Sequence, residues 1–306
     1  MALSGSHASP AQLLVGEVRL RPSQYGRGPL SAEMSLLRRC VAAARVRPIR
    51  AFFAIVLLTS WGGGAAARIG LRLADARWSQ RSALVFFPIL IATVGGAGIV
   101  MTFVTDGRDG LRRLCVDVSR WRVGRWYALL LLPPTCILST LAVLRATSDV
   151  FAPNLFLAGF FFGVPAGLLE EIGWSGFAFQ RMASTHAWWR PAVWIGVAWG
   201  LWHLPVVDSL GAASPHDAWW LSFSLAFTLL LAAERVIISW AVTRTRSLLL
   251  AQLLHVSATG SLVVLSPSRV SPAQETLWYV CYAILLWAIA GTIIVTAEVR
   301  AARDVL

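Results

Sequence analysis

Two adjacent carboxylates, Glu170 and Glu171, stand inside the apolar stretch GFFFGVPAGLLEEIGWSG at residues 159–176. A charged side chain at membrane depth costs at least about 2.5 kcal/mol, so such a pair is interpreted as functional by default. The alternative is a packing helix whose two glutamates lie at a water boundary. Because the apolar character continues through Phe179, the functional interpretation is favoured.

Two later apolar stretches carry one histidine each, His203 in WGLWHLP and His255 in LLHVSAT. Trp199 lies one helical turn before His203, and Thr259 one turn after His255. A single buried histidine is more often structural than catalytic, but depth favours a site here. Glu170, His203 and His255 lie about 16, 20 and 14 Å along their helices from the nearest arginine predicted to be cytoplasmic. We therefore predict that three helices bring these groups to one level.

These residue types favour hydrolysis. A carboxylate removed from water can act as a general base on a water molecule. A neighbouring histidine can orient that water or stabilise the oxyanion that forms. Glu170, His203 and His255 could also form a zinc site, although the H-E-x-x-H pattern of many zinc proteases is absent.

The composition predicts the setting of this site. Of the 306 residues, 57% are hydrophobic and 14% are charged, which favours an all-α membrane protein with several spans over a soluble domain. Eight apolar runs predict about eight transmembrane helices. They cover residues 50–67, 84–105, 127–145, 156–181, 190–207, 219–241, 247–265 and 277–297. We expect a disordered cytoplasmic tail over residues 1–47 and a membrane helical domain over 48–300.

The net charge of +12 resides in arginines that cluster between the apolar runs. This pattern is typical of membrane topology and argues against nucleic-acid binding. With the N-terminus inside, the predicted cytoplasmic segments hold most of the arginines. Both termini are therefore predicted to be cytoplasmic, in a cell membrane.

Glycines recur at every fourth residue before the carboxylate pair, and such a stripe lets another helix approach closely. The stripe consists of Gly159, Gly163 and Gly167. Glu171 and Ser175 continue the same helix face, whereas Glu170 is rotated by about 100°.

Together, EEIGWSG at 170–176, WGLWH at 199–203 and HVSAT at 255–259 resemble the CPBP family, which contains the type II CAAX prenyl endopeptidases and the Abi bacteriocin-processing proteins. The resemblance covers about residues 150–265. It implies a CAAX-protease-like bundle of eight helices and an intramembrane endopeptidase. It also implies that Glu170 activates water, that Glu171 is its partner, and that His203 and His255 lie on the oxyanion side.

The sequence departs from the family pattern at Ser175, where the family has Arg, and at Thr259, where it has Asn. Loss of the Arg removes a cation from a carboxylate site. Arg235 lies at a similar depth and is an alternative source of that cation. We expect it instead to pair with Glu234 or to extend its side chain towards water.

We predict an intramembrane endopeptidase that acts on membrane-associated proteins or peptides, with lipid as its surroundings. Trp199, Ser175 and Thr259 are expected to support the catalytic residues. A metal-independent glutamate mechanism is favoured, with zinc as the alternative. Two other functions stay open: a non-catalytic immunity or scaffold protein, and a proton-coupled transporter, which the absence of an evident inverted repeat disfavours.

Overall fold

The computed structural model describes residues 29–303, which form α-helices joined by short 3₁₀ and π-helical segments, with no β-strand in this part of the chain. The α-helices are α1 (Pro29–Val46), α2 (Pro48–Leu57), α3 (Gly63–Leu73), α4 (Gln80–Val118), α5 (Leu132–Arg145), α6 (Phe160–Glu171), α7 (Gln180–Ala183), α8 (Trp189–Leu210), α9 (Trp220–Thr245), α10 (Leu248–Leu265) and α11 (Pro272–Arg303). The predicted all-α fold is confirmed.

Seven helical runs of the described chain are long and apolar enough to cross a membrane. They are Pro48–Leu73, Gln80–Val118, Gly124–Arg145, Trp189–Leu210, Asp217–Thr245, Leu248–Leu265 and Pro272–Arg303. An eighth helical run comprises α6, the π-helix Ile172–Phe179 and α7, none of which is long enough alone. It coincides with the apolar run at 156–181. The chain is therefore a multi-pass membrane protein, as predicted.

The N-terminal boundary differs from the prediction. Residues 29–46, which we expected to belong to a disordered tail, form helix α1. Leucines, alanines and arginines dominate residues 36–45 and favour helix. The remainder of the predicted tail, up to residue 28, lies outside the described residues.

The glycine stripe allows α6 to pack directly against the backbone of α10. A Cβ atom on Gly163 would lie 2.6 Å from the amide nitrogen of Gly260, and one on Gly167 would lie 2.6 Å from that of Val256. Small residues permit such backbone approach in membranes, where packing rather than water exclusion drives helix association. This contact sets the carboxylates at the end of α6 beside the middle of α10.

A second pair of glycines brings α8 against α9. A Cβ atom on Gly196 would lie 2.5 Å from Cα of Ala232, and one on Gly200 would lie 2.8 Å from Cα of Thr228. Trp199 and His203 each lie three residues after one of these glycines on α8 and are buried in the bundle. The two close helix pairs therefore surround the carboxylates with α8, α9 and α10.

The loop after α8 is fixed by a buried histidine. His216 Nδ1 lies 2.7 Å from Asp208 Oδ1, and its Nε2 lies 3.1 Å from Glu275 Oε2 at the start of α11. Burial of the ring disfavours its charge, but the hydrogen bonds to the two carboxylates outweigh burial and raise the pKa of His216. This cluster ties the end of α8, the helix that carries His203, to α11.

We expect Gly167→Ala to destabilise the protein, because its methyl group would overlap the α10 backbone and overpacking costs about 1–3 kcal/mol. Gly96→Ala on α4 is the matched control, since no atom lies within 4 Å of its added Cβ. Thermal unfolding in detergent micelles measures both. Equal melting temperatures for the two variants would contradict the proposed role of the stripe.

Candidate active site

Glu170 and Glu171 are the last residues of α6, and both are wholly buried. Immediately after them the helix widens into the π-helix Ile172–Phe179, a form often found at functional sites. Trp174 and Ser175 lie in the first part of this segment. Each makes a hydrogen bond back to the glutamate four residues before it.

The Glu170 carboxylate is held at one oxygen only. Its Oε2 accepts hydrogen bonds from Trp199 Nε1 at 2.8 Å and Trp174 Nε1 at 3.3 Å. Its Oε1 is buried and has no hydrogen-bond partner among the described residues. A buried polar atom normally has a partner, so this oxygen is the one suited to bind water or substrate.

The Glu171 carboxylate is bound at both oxygens. Arg235 donates from Nη1 to Oε2 at 2.8 Å and from Nη2 to Oε1 at 2.7 Å. His255 Nδ1 donates to Oε1 at 2.8 Å, and the Ser175 hydroxyl donates to Oε2. Such a bidentate pair is a strong, directional interaction. The two glutamates therefore have opposite environments: Glu171 is saturated, whereas Glu170 has a free oxygen.

His203 is oriented by its own helix and by aromatic rings. Its Nδ1 donates to the carbonyl oxygen of Trp199 at 2.9 Å, which fixes the proton on Nδ1. Its Nε2 has no hydrogen-bond partner among residues 29–303. Ring centroids of Phe87, Trp202 and Phe227 lie 4.6–5.8 Å from the imidazole. His203 thus presents one nitrogen from an apolar enclosure.

Trp199 connects these groups. Besides donating to Glu170, its ring lies 4.8 Å from the His255 ring and 5.8 Å from the His203 ring, measured between centroids. The guanidinium carbon of Arg235 lies 4.6 Å from the centroid of the Trp199 ring. The structure therefore places Glu170, His203 and His255 around one indole, and Glu171 joins them through its hydrogen bond with His255. Their roles in a reaction stay predictions.

The predicted supporting residues are placed differently from one another. Trp199 and Ser175 contact the carboxylates directly, as described above. Thr259 lies one turn after His255 on α10 and is only partly buried. Within residues 29–303, no hydrogen bond links its hydroxyl to either glutamate.

The expectation for Arg235 was wrong. Its side chain pairs with Glu171 rather than with Glu234 or water, and it is completely buried. Glu234 instead contacts α11, where its Oε1 accepts a hydrogen bond from the Tyr282 hydroxyl at 3.4 Å. Neighbouring residues on a helix point about 100° apart, so adjacency in sequence disfavours a direct pair.

Two residues that contact α6 at or beside the site, Trp174 and Gln252, were not among the predicted site residues. Trp174 was regarded only as part of the apolar run, although it lies four residues after Glu170, the spacing of helix neighbours. Gln252 on α10 is buried and donates from Nε2 to the carbonyl oxygen of Leu168 at 2.6 Å. A polar residue one turn before His255 in an apolar helix was the available signal.

The arrangement does not fit the zinc set as it stands. Across the described residues, no group of three or more His, Cys, Asp or Glu side chains is placed to hold a metal ion. The hydrogen bonds of the site engage Nδ1 of both histidines and Oε2 of Glu170. The atoms that stay available among the described residues, Nε2 of each histidine and Oε1 of Glu170, do not form such a group.

Fold and site together define a polytopic membrane protein with a buried centre of two carboxylates and two histidines. Residues 152–260 match the family model described as type II CAAX prenyl endopeptidase Rce1-like. This match confirms the resemblance of this stretch to the CPBP family.

A curated relative supports the same assignment. The chain is 29% identical over 146 residues to CAAX prenyl protease 2 of Methanococcus maripaludis. The aligned region covers 46% of this chain and 51% of the relative, so the chain spans about half the length of the curated relative it matches.

Proposed function

We propose that the protein is an intramembrane endopeptidase that hydrolyses peptide bonds with water activated by Glu170. The observation that carries this proposal is the asymmetry of the carboxylate pair. Glu170 Oε1 has no partner among the described residues, whereas Oε2 is fixed by two indoles. The catalytic core would lie within residues 150–265 of a membrane domain spanning 48–300.

In the proposed reaction, water binds between Glu170 Oε1 and the unengaged Nε2 of His203. Glu170 takes a proton from this water, and the resulting hydroxide adds to the carbonyl carbon of the scissile peptide bond. The imidazole of His255, whose Nδ1 donates to the Glu171 carboxylate, stabilises the developing oxyanion. Glu170 then gives its proton to the leaving amine as the carbon–nitrogen bond breaks.

A non-catalytic scaffold needs none of these features. Binding a partner peptide does not require a buried carboxylate oriented through one oxygen by two tryptophans. It also does not require two histidines whose Nδ1 atoms are both engaged by acceptors. These features favour the enzyme.

The substrate we propose is a membrane-associated protein or peptide, because the carboxylates lie at the end of α6 within a multi-pass bundle. The name of the matched relative makes prenylated CAAX peptides the first class to assay. Lipid would surround the outward apolar side chains such as Phe161 and Trp194, which are 76% and 69% exposed.

We propose a metal-independent mechanism, since no three His, Cys, Asp or Glu side chains among the described residues are placed to hold a metal ion. Dialysis against a zinc chelator is expected to leave the cleavage rate unchanged within about twofold, because hydrogen-bond donors alone can stabilise an oxyanion. The assay uses purified protein in detergent with a quenched fluorescent peptide. Loss of activity that zinc alone restores would contradict this part of the proposal.

We also propose that both termini are cytoplasmic, because arginines are concentrated in the segments then placed inside. Reporter fusions after residues 116, 212 and 304 are expected to report inside, outside and inside. An outside signal at residue 304 would contradict the arrangement of eight spans.

The proposed activity is tested by comparing the membrane proteomes of cells that express the wild type or Glu170→Gln. Protein fragments with new termini should accumulate only with the wild type. The uncleaved precursors should accumulate with the variant. Identical terminal peptides in the two strains, at equal expression, would favour the scaffold instead.

A further inference from the structure

Arg235 contributes a complete positive charge to the centre of the bundle. It lies in the middle of α9, its side chain is fully buried, and both terminal nitrogens bind the equally buried Glu171. This bidentate pair lies directly beside Glu170, the proposed catalytic carboxylate, since Glu170 and Glu171 are adjacent in sequence.

Such a pair is poorly explained by stability alone. Removing two charges from water carries a large desolvation penalty, and an apolar pair of similar volume is often as stable. A charged residue inside a membrane segment is also rare and usually functional. We therefore expect Arg235 to have a role in addition to holding α9 against α6.

The contacts of Arg235 lead to both halves of the site. Through Glu171 it reaches His255, whose Nδ1 donates to the same oxygen that Arg235 binds. Through its position over the Trp199 ring it reaches Glu170, which accepts from the Trp199 indole nitrogen. Displacement of the guanidinium would therefore disturb the proposed base and the proposed oxyanion donor together.

Ser175 lies at the same point of the site. Its hydroxyl donates to Glu171 Oε2, and Arg235 Nη1 lies 3.2 Å from its oxygen. The side chain at position 175 is completely buried and directed at Glu171. An arginine there would extend into the space that the Arg235 guanidinium occupies. The small serine leaves room for one cation, which α9 supplies.

We propose that Arg235 is the positioning residue of the carboxylate pair. In this proposal Arg235, on α9, supplies the cation that binds Glu171, and the small Ser175 side chain leaves room for its guanidinium. Arg235 keeps Glu171 ionised and immobile, so Glu170 is the carboxylate left to exchange protons with water. This proposal rests on the proposed function for its kinetic consequences. Its structural part, the coupling between Arg235 and Glu171, is independent of any activity.

The kinetic experiment compares Arg235→Gln, Arg235→Lys, Arg235→Ala and the relocated variant Ser175→Arg/Arg235→Ala. Purified proteins in liposomes are assayed with a quenched fluorescent peptide that ends in a farnesylated CAAX sequence. Arg235→Gln should lower kcat by about 10²-fold, the effect of a misplacement of about 1 Å, while KM changes little. Arg235→Lys should be intermediate, because an ammonium lacks the planar two-point geometry.

The relocated variant separates positioning from packing. It should recover at least tenfold in kcat over Arg235→Ala, because a cation again faces Glu171. Arg244→Gln, at the exposed end of the same helix, is the matched control and should match the wild type. Wild-type kcat in Arg235→Gln, or no recovery in a relocated variant that remains folded, would overturn the proposal.

If the wild type cleaves no peptide, that result counts against the proposed function and not against the role of Arg235. A thermal-stability cycle then tests the coupling between Arg235 and Glu171. The cycle uses Arg235→Gln, Glu171→Gln and the double variant. The melting temperature of the double variant should fall by much less than the sum of the two single decreases. Each single change leaves a buried charge without its partner, whereas the double change removes both charges. Additive losses would overturn the coupling and with it the positioning role.

Discussion

Replacement of Glu170 by Gln is expected to lower the rate of peptide cleavage by about 10²–10⁴-fold, the usual contribution of a general base. The amide keeps the volume of the carboxylate and can still accept from the two indoles, so folding should be nearly unaffected. It has no basic oxygen with which to take a proton from water. Initial rates with a quenched fluorescent peptide and melting temperatures in micelles measure the two effects.

Two matched glutamates make this result specific. Glu298→Gln, at the exposed end of α11, should retain the wild-type rate. Glu171→Gln should differ from Glu170→Gln by also lowering stability, since it leaves the buried Arg235 short of its carboxylate partner. Equal rates for Glu170→Gln and the wild type would remove the general-base role from Glu170.

Replacement of either histidine by Ala is expected to cost about 10²–10³-fold in kcat, the effect of losing one oxyanion donor or a comparable polar contact. His203→Ala removes the Nε2 atom that faces the proposed water. His255→Ala removes the proposed oxyanion donor and also one hydrogen bond to Glu171. Only His255→Ala should therefore also affect stability through the Glu171 cluster.

The control for both histidine variants is His186→Ala, an exposed residue in the turn after α7. It should leave the kinetics and the melting temperature unchanged. If His203→Ala and His255→Ala retained kcat within threefold while the peptide was still cleaved, neither histidine would participate in the chemistry.

The helix packing around the candidate site could be predicted from the sequence, because two strong constraints act on it. Apolar runs of sufficient length are expected to span the bilayer. The glycines at positions 159, 163 and 167 allow a neighbouring helix to pack closely. The structure confirms that α10 is packed against this stripe. Glu170 and Glu171, which are offset by about 100° on the helix, bind different partners in the structure.

Other features depended on tertiary contacts that periodicity does not report. The π-helix at Ile172–Phe179 has no clear local signal, and it splits the eighth membrane run into shorter parts. The partner of Arg235 is 64 residues away in sequence, so only the packing of α9 against α6 decides between Glu171 and Glu234. Trp174 serves as an indole donor only because Glu170 turns one oxygen towards it.

Cleavage in H₂¹⁸O tests the central claim most directly. Liposomes that contain the wild type or Glu170→Gln are incubated with the farnesylated peptide, and the new carboxyl terminus is analysed by mass spectrometry. Attack by a Glu170-activated water predicts one ¹⁸O atom in the new carboxyl group with the wild type and no product with Glu170→Gln in the same time. Formation of the same labelled product at the wild-type rate by Glu170→Gln would contradict the account.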